Sequence, residues 1–240
     1  MTAHEVIEAA ALGSCVRAIG GRAELVGGAL CAHHPALPGL ELNRAIPVEQ
    51  QVDLGAVSAW YAGGPHGVVA PPDQGALTDA LELRGYEPVR AWMAFERTAD
   101  VAEAPETDLR VEETSDGAAF DLALSEGYGM PGGLFGSLVG HEGWHCFVAW
   151  AGAEPAGCGA IYVEDGLGWL GLGATRPALR RRGAQSALLL ARIEAARALG
   201  TLTLYTETGA HGAEGPGPSY RNILRAGFRE SYLRPNWHST

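Results

Sequence analysis

The chain has 240 residues, 47% hydrophobic and 19% charged, with 17 basic and 28 acidic side chains and a formal net charge of −11. That balance argues against a general nucleic-acid binder, which needs surplus positive charge to displace counterions, and no run approaches the ~20 consecutive apolar residues of a membrane span. All 17 basic residues are arginine; ten of them share residues 170–240 with four acids, whereas residues 1–169 hold seven arginines and 24 acids.

The first eleven residues carry His4, Glu5 and Glu8 and no basic stretch, so they do not read as a signal peptide, and a cytoplasmic protein is expected. Cys15, Cys31, Cys146 and Cys158 form no C-x-x-C pair and read as buried free thiols. A helix is predicted over Glu5–Ile19, then strands near Glu24–Cys31 and Glu41–Val48. A helix over Leu54–Tyr61, a short strand Gly67–Val69 and a helix Gly75–Leu83 follow, and this half reads as parallel in outline. His33-His34 reads as a polar turn before Pro35, and Trp60, Trp92 and Phe95 as core.

Residues 98–108 are acidic, contain a proline and lack large apolar side chains, as a solvated linker does. They divide the chain into expected domains at 1–100 and 108–240. The stretches before the linker and before the C-terminus end alike, with Leu83-Arg84-Gly85-Tyr86 and Leu224-Arg225-Ala226-Gly227-Phe228. In each a helix stops at glycine, which tolerates a left-handed cap, and an aromatic opens a strand. The match points to an internal duplication.

The second half reads as mixed α/β. Ser115 and Asp116 can cap a helix to Glu126, and a glycine-rich stretch runs from Gly127 to Gly143. Strands His145–Trp150, Ala156–Val163 and Trp169–Thr175, joined by short turns, predict an antiparallel meander. Leu188, Ala191, Ala195 and Leu199 make an apolar stripe along a helix Ala184–Leu199, stopped by Gly200. Leu202 and Leu204 alternate in a strand. A helix Ser219–Ala226 and a final strand to Trp237 complete the half.

The segment Thr175-Arg176-Pro177-Ala178-Leu179-Arg180-Arg181-Arg182-Gly183-Ala184-Gln185-Ser186 joins a strand to an amphipathic helix. Such a helix start presents unpaired N–H groups and partial positive charge, Gly183 leaves room for a phosphate, and the arginines add charge-assisted bonds. From the residues alone, a solvated basic turn is an equal alternative.

The pattern Thr-x-Pro-x-x-Arg-x-x-Gly-x-Gln of residues 175–185 resembles motif A of the GCN5-related N-acetyltransferases (GNAT), usually Val-x-Pro-x-x-Arg/Gln-x-x-Gly-x-Gly/Ala. The resemblance extends over residues 108–240, with the meander before the motif and the Gly-Phe helix end after it. It implies an α/β fold with a mixed α+β sheet in two GNAT-like domains. Only the second carries the acetyl-CoA pyrophosphate loop. Arg180, Arg181, Arg182, Gly183, Ala184, Gln185 and Ser186 would hold the pyrophosphate. Gly173, Ala174 and Thr175 would bind the pantetheine arm and acyl carbonyl through backbone groups, and Ser219 and Asn222 would contact coenzyme A. Gln185 stands where the family has Gly or Ala.

Many relatives carry a tyrosine acid four residues before the glycine of Gly-Phe. Here that position is Ile223, which donates no proton. Tyr220, one helical turn earlier, is the substitute candidate. Glu126, His145 and Glu164 are alternatives for the base that deprotonates the acceptor, and none stands out.

His141-Glu142-Gly143-Trp144-His145 matches H-E-x-x-H, the zinc-peptidase signature, with Glu164 downstream. That chemistry needs both histidines one turn apart on a helix. Gly140 and Gly143 interrupt one, and in a strand residues four apart lie ~13 Å apart, too far for zinc–nitrogen bonds of ~2.0–2.1 Å. No metal site is expected. In the first half, Pro47–Asp53 has no glycine and two acids, Glu49 and Asp53, which repel a pyrophosphate.

The expected function is N-acetyl transfer from acetyl-CoA to an amine of a small molecule or peptide, by direct attack and without an acyl-enzyme. The expected partners include no nucleic acid and no membrane, and the chain is expected as a monomer or homodimer. The alternative is a non-catalytic acyl-CoA sensor with the same fold.

Overall fold

Two adjacent glycines turn the first predicted strand into a hairpin. In the computed structural model, which describes residues 2–37, 39–72, 74–101 and 106–239, Gly27 and Gly28 both have positive φ, +55° and +82°. This is the pair of left-handed positions that a two-residue hairpin turn requires. The chain divides into two compact units. One comprises Met1–Ala94, Thr208–Ala210 and Ser231–Thr240; the other comprises Phe95–Glu207 and His211–Glu230. Residues 102–105 of the expected linker lie outside the described residues.

The first unit opens with α1 (Ala3–Ala18), started by a capping box between Thr2 and Glu5. The hairpin β1 (Arg22–Val26) and β2 (Ala29–His33) follows. Next come β3 (Arg44–Pro47), α2 (Leu54–Trp60), β4 (Gly67–Val69), α3 (Gly75–Leu83) and the first part of β5 (Glu87–Thr98). β2 pairs antiparallel with β1 and with β3; β3 and β4 are parallel, with α2 as their crossover. The chain's final strand adds to β4 antiparallel, Trp237 opposite Val68. The expected parallel outline therefore holds for β3 and β4 but not for β1, β2 and β3, because the Gly27–Gly28 turn reverses the chain where a single strand was expected. Cys31, Ala45, Leu54, Val57, Leu81 and Trp237 are among the core residues between helices and sheet.

His34 opens the turn at Pro35, its carbonyl accepting from Leu37 N–H at 3.2 Å, but its side chain is buried. It is 4% exposed, its Nε2 lies 3.1 Å from Ile19 O, and its N–H donates to Asn43 Oδ1 at 2.9 Å. Phe95 is fully buried, but Trp60 and Trp92 are half-buried and carry guanidinium groups on their faces. Arg22 lies 4.1 Å from the Trp60 ring, Arg44 4.6 Å and Arg234 5.7 Å from Trp92. Arg44 and Arg234 both pair with the buried carboxylate of Glu8.

The second unit contains β6 (Arg110–Glu113), a short strand absent from the sequence expectation, and α4 (Gly117–Tyr128). Asp116 caps α4 through Ala119 N–H at 2.9 Å. The meander β7 (Trp144–Ala151), β8 (Glu154–Glu164) and β9 (Leu167–Thr175) is antiparallel throughout. Then come α5 (Ala184–Ala198), β10 (Thr203–Gly209), α6 (Pro218–Arg225) and β11 (Arg229–His238). β9 and β10 are parallel, with α5 as their crossover. Both units are mixed α/β. Each runs through an antiparallel meander, a strand–helix–strand crossover and a helix ended by a left-handed glycine, Gly85 at +77° and Gly227 at +82°.

No helix among the described residues is long and apolar enough to cross a membrane. All four cysteines are buried free thiols; burial pushes Cys31 and Cys146 up to about 12.

Candidate functional site

β9 departs from its neighbour just past the end of its parallel ladder. The ladder with β10 runs from Leu167–Thr203 to Trp169–Tyr205. Beyond it the pairing with β8 shifts by one residue: Cys158 faces Ala174, but Ala160 faces Gly171. The extra residue makes a bulge at Leu172–Gly173, with Leu172 at φ +52°. A bulge of this kind bends the strand and re-aims its backbone groups.

A buried arginine supports the bend. Arg192, on α5, is 3% exposed. Its guanidinium donates to Gly171 O at 3.1 Å, Ala160 O at 3.3 Å and Leu188 O at 2.9 Å. Burial lowers its pKa to about 10. Of the ten arginines after residue 170, this one serves the sheet.

After β9 the chain passes a short 3-10 turn at Pro177–Leu179 and enters α5. Arg181 takes φ +65° and Gly183 +80°. At Gly183 two requirements coincide. The φ favours glycine, and a Cβ would stand 2.9 Å from Glu106 O and 3.2 Å from Thr107 Cβ. Gly183 is the N-cap of the 15-residue helix and no side chain caps it. The first N–H groups of α5, at Ala184, Gln185 and Ser186, form its electropositive end.

The three loop arginines differ in what they hold. Arg180 donates to Thr175 O at 3.2 Å and Gly127 O at 3.3 Å. Arg182 pairs with Asp108, its Nε 3.3 Å from Oδ1, and this bond raises the arginine and lowers the carboxyl. Arg181 is exposed.

Gln185, out of pattern for the resemblance, links two helices. Its amide donates to Ser219 Oγ at 2.8 Å and accepts from Asn222 Nδ2 at 2.8 Å. The structure thus brings Gln185, Ser219 and Asn222 into one polar cluster, with their side chains turned to each other. Gly173, Ala174 and Thr175 occupy the bulged end of β9, continuous with the loop.

The last turn of α4 also meets this place, which sequence reasoning did not find. Glu126 accepts from Arg176 Nε at 2.7 Å, Gly127 O accepts from Arg180, and the Tyr128 hydroxyl donates to Gly173 O at 3.1 Å. Only the glycine-rich composition after Glu126 hinted at close approach.

Tyr220 is 2% exposed and donates to Glu230 Oε1 at 2.6 Å, with its ring against Phe95 and His211. Burial and that carboxylate push its phenol up to about 12. Ile223 is buried. His145 lies on β7 with Nδ1 2.8 Å from Glu113 Oε1, Glu164 accepts from Tyr162 at 3.1 Å, and Glu126 is held by Arg176. His141 sits in a turn before β7, with Gly143 at φ +78° between the two histidines. The H-E-x-x-H string therefore spans a turn and a strand.

Residues 111–215, from β6 to beyond β10, match the family model described as the acetyltransferase (GNAT) family. No curated protein matches the chain. Among solved structures, a GCN5-related N-acetyltransferase from Kribbella flavida shares the fold with a TM-score of 0.70 at 16% identity, over 100% of this chain and 96% of that one. A GCN5-related N-acetyltransferase from Sphaerobacter thermophilus gives a TM-score of 0.59 at 21% identity, over 72% of this chain. This chain spans only 59% of that protein's length. A tandem GNAT protein from the clavulanic acid biosynthesis pathway gives 0.55 at 17% identity, over 81% of this chain and 74% of that one. The fold is that of GNAT acetyltransferases.

Proposed function

We propose that the second unit transfers an acetyl group from acetyl-CoA to an amine of a small molecule or peptide. One observation carries the reading: the bulged end of β9 leads through the short Pro177–Leu179 turn to a glycine-capped helix start with no side-chain cap. A pyrophosphate fits that helix start, because no side chain caps it and Ala184, Gln185 and Ser186 present backbone donors. Arg181 adds an exposed guanidinium, and Arg180 and Arg182 stand beside it. An extended arm would lie along Gly173, Ala174 and Thr175 at the bulged end of β9, displacing the Tyr128 and Arg180 donors from Gly173 O and Thr175 O.

Acetyl-CoA supplies the activated thioester. The chain's contribution is to hold the arm along β9 and the acyl end at the bulge, so that the amine attacks an oriented carbonyl. Transfer is direct. Tyr220 is the proposed proton donor to the departing thiolate; its phenol is protonated at neutral pH, burial and Glu230 weaken it as an acid, and donation requires release of its bond to Glu230.

The first unit is read as a GNAT-like relative without the phosphate loop. Its crossover helix α2 follows the same strand–helix–strand order, but Asp53 caps it, accepting from Gly55 N–H at 2.9 Å and Ala56 N–H at 3.1 Å. A carboxylate there occupies the place of an anion.

The test is thiol release from acetyl-CoA with an amine library. Release with one class of amines supports the reading. A second reading, an acyl-CoA sensor, is favoured by Ile223 at the usual acid position and by the Tyr220–Glu230 bond. Coenzyme A binding without release across the library would support it instead.

A further inference from the structure

We propose that Tyr128 closes the acyl end of this site and sets the length of the acyl chain it takes; the inference rests on the acyltransferase reading above. The position of Tyr128 is fixed by its neighbour. Gly127 packs so closely on β9 that a Cβ there would stand 2.6 Å from Ala174 Cβ and 3.1 Å from Thr175 N. This close approach carries the next residue to the bulge. There the Tyr128 hydroxyl donates to Gly173 O at 3.1 Å. Tyr128 itself is 53% exposed.

A ligand anchored by phosphate at Gly183–Ser186 and laid back along β9 passes Thr175 and Ala174 before Gly173. At Gly173 it meets the phenol. The strand itself leaves room at that residue: a Cβ on Gly173 would have no neighbour closer than Arg192 Nη2 at 3.7 Å. On the α4 side, the phenol bonded to Gly173 O is the group that limits the space. A two-carbon acyl group ends beneath the ring. A longer chain has to push the ring aside and break its bond to Gly173 O. Each methylene that a pocket rejects changes selectivity by about tenfold or more.

The experiment is calorimetric titration of the full chain with coenzyme A, acetyl-CoA, butyryl-CoA and hexanoyl-CoA, which needs no acceptor. The parent is expected to bind hexanoyl-CoA at least about tenfold more weakly than acetyl-CoA. Tyr128→Ala is expected to bind coenzyme A within about twofold of the parent and to remove that discrimination. Tyr128→Phe keeps the ring and is expected to keep most of it. If Tyr128→Ala binds coenzyme A normally and retains the parental preference, the inference fails alone. Loss of coenzyme A binding itself in Tyr128→Ala would also overturn it, by placing the residue on the arm rather than the acyl end. A parent that binds no coenzyme A overturns the acyltransferase reading, and this inference with it.

Discussion

Arg192 fills the space that a side chain on Gly159 would need. A Cβ at Gly159 would stand 2.8 Å from the guanidinium carbon, and Gly159 is the residue opposite the β9 bulge. The glycine admits the arginine, and the arginine satisfies the carbonyls of Ala160 and Gly171. Gly159→Ala should therefore destabilise the chain by about 1–3 kcal/mol through overpacking. Arg192→Met, which removes the guanidinium donor from those carbonyls, should lose a similar amount. The two changes together should be less than additive, because each breaks the same contact. Denaturant midpoints of the two single variants and the double variant check this.

Gly183→Ala addresses the loop. The substitution forces an L side chain to φ +80° and into contact with Glu106 O. A loss of about 1–3 kcal/mol in stability is expected from the strained backbone. Coenzyme A affinity should fall by more than stability alone accounts for, since the N-cap geometry is itself the proposed anion site. Thermal melts with calorimetry on the same samples separate the two effects.

Asp108 competes with the proposed ligand for Arg182. The pair is exposed and salt-sensitive. Asp108→Asn removes the competing charge and should tighten coenzyme A binding while leaving dephosphorylated pantetheine unchanged. A tightening of both equally would point away from a phosphate role for Arg182.

The two places where α2 and α5 begin show how far the sequence reached. The absence of glycine and the presence of Asp53 predicted a first half without a phosphate loop, and Asp53 is seen capping α2. The strand–turn–helix around Gly183 and the meander before it were legible from turn residues and helical spacing. Other features were not. β6 is four residues long, three of them charged, so it carries too little pattern to register. The β1–β2 hairpin was hidden because Gly27–Gly28 sits inside a continuous apolar run. The burial of Arg192 was not legible, because composition carries no burial. Tyr128 gave no signal, since its meeting with Gly173 depends on how α4 crosses the sheet and not on local spacing.

Glu8 sets the acid limb of stability in the first unit. Burial alone would raise its pKa, but Arg234 and Arg44 outweigh burial and lower it from 4.5 to about 2. A depressed folded pKa stabilises above the unfolded value and loses that contribution as pH falls. Stability should thus decline between about pH 4.5 and pH 2. Glu8→Gln removes the carboxylate held between two arginines and should lose about 3–5 kcal/mol at neutral pH. Its stability should then vary less across the acid window. Denaturant midpoints of parent and variant at pH 7 and pH 3 test both statements.

The central claim is that the Arg180–Ser186 segment receives a pyrophosphate. It is tested most directly by calorimetric titration of the parent and Arg181→Ala with coenzyme A and with dephosphorylated pantetheine. The parent is expected to bind coenzyme A with saturable heat. Arg181→Ala should weaken coenzyme A by about tenfold, equivalent to 1.4 kcal/mol, and leave pantetheine unchanged. A parent that binds no coenzyme A, or a variant that loses both ligands equally, would contradict it.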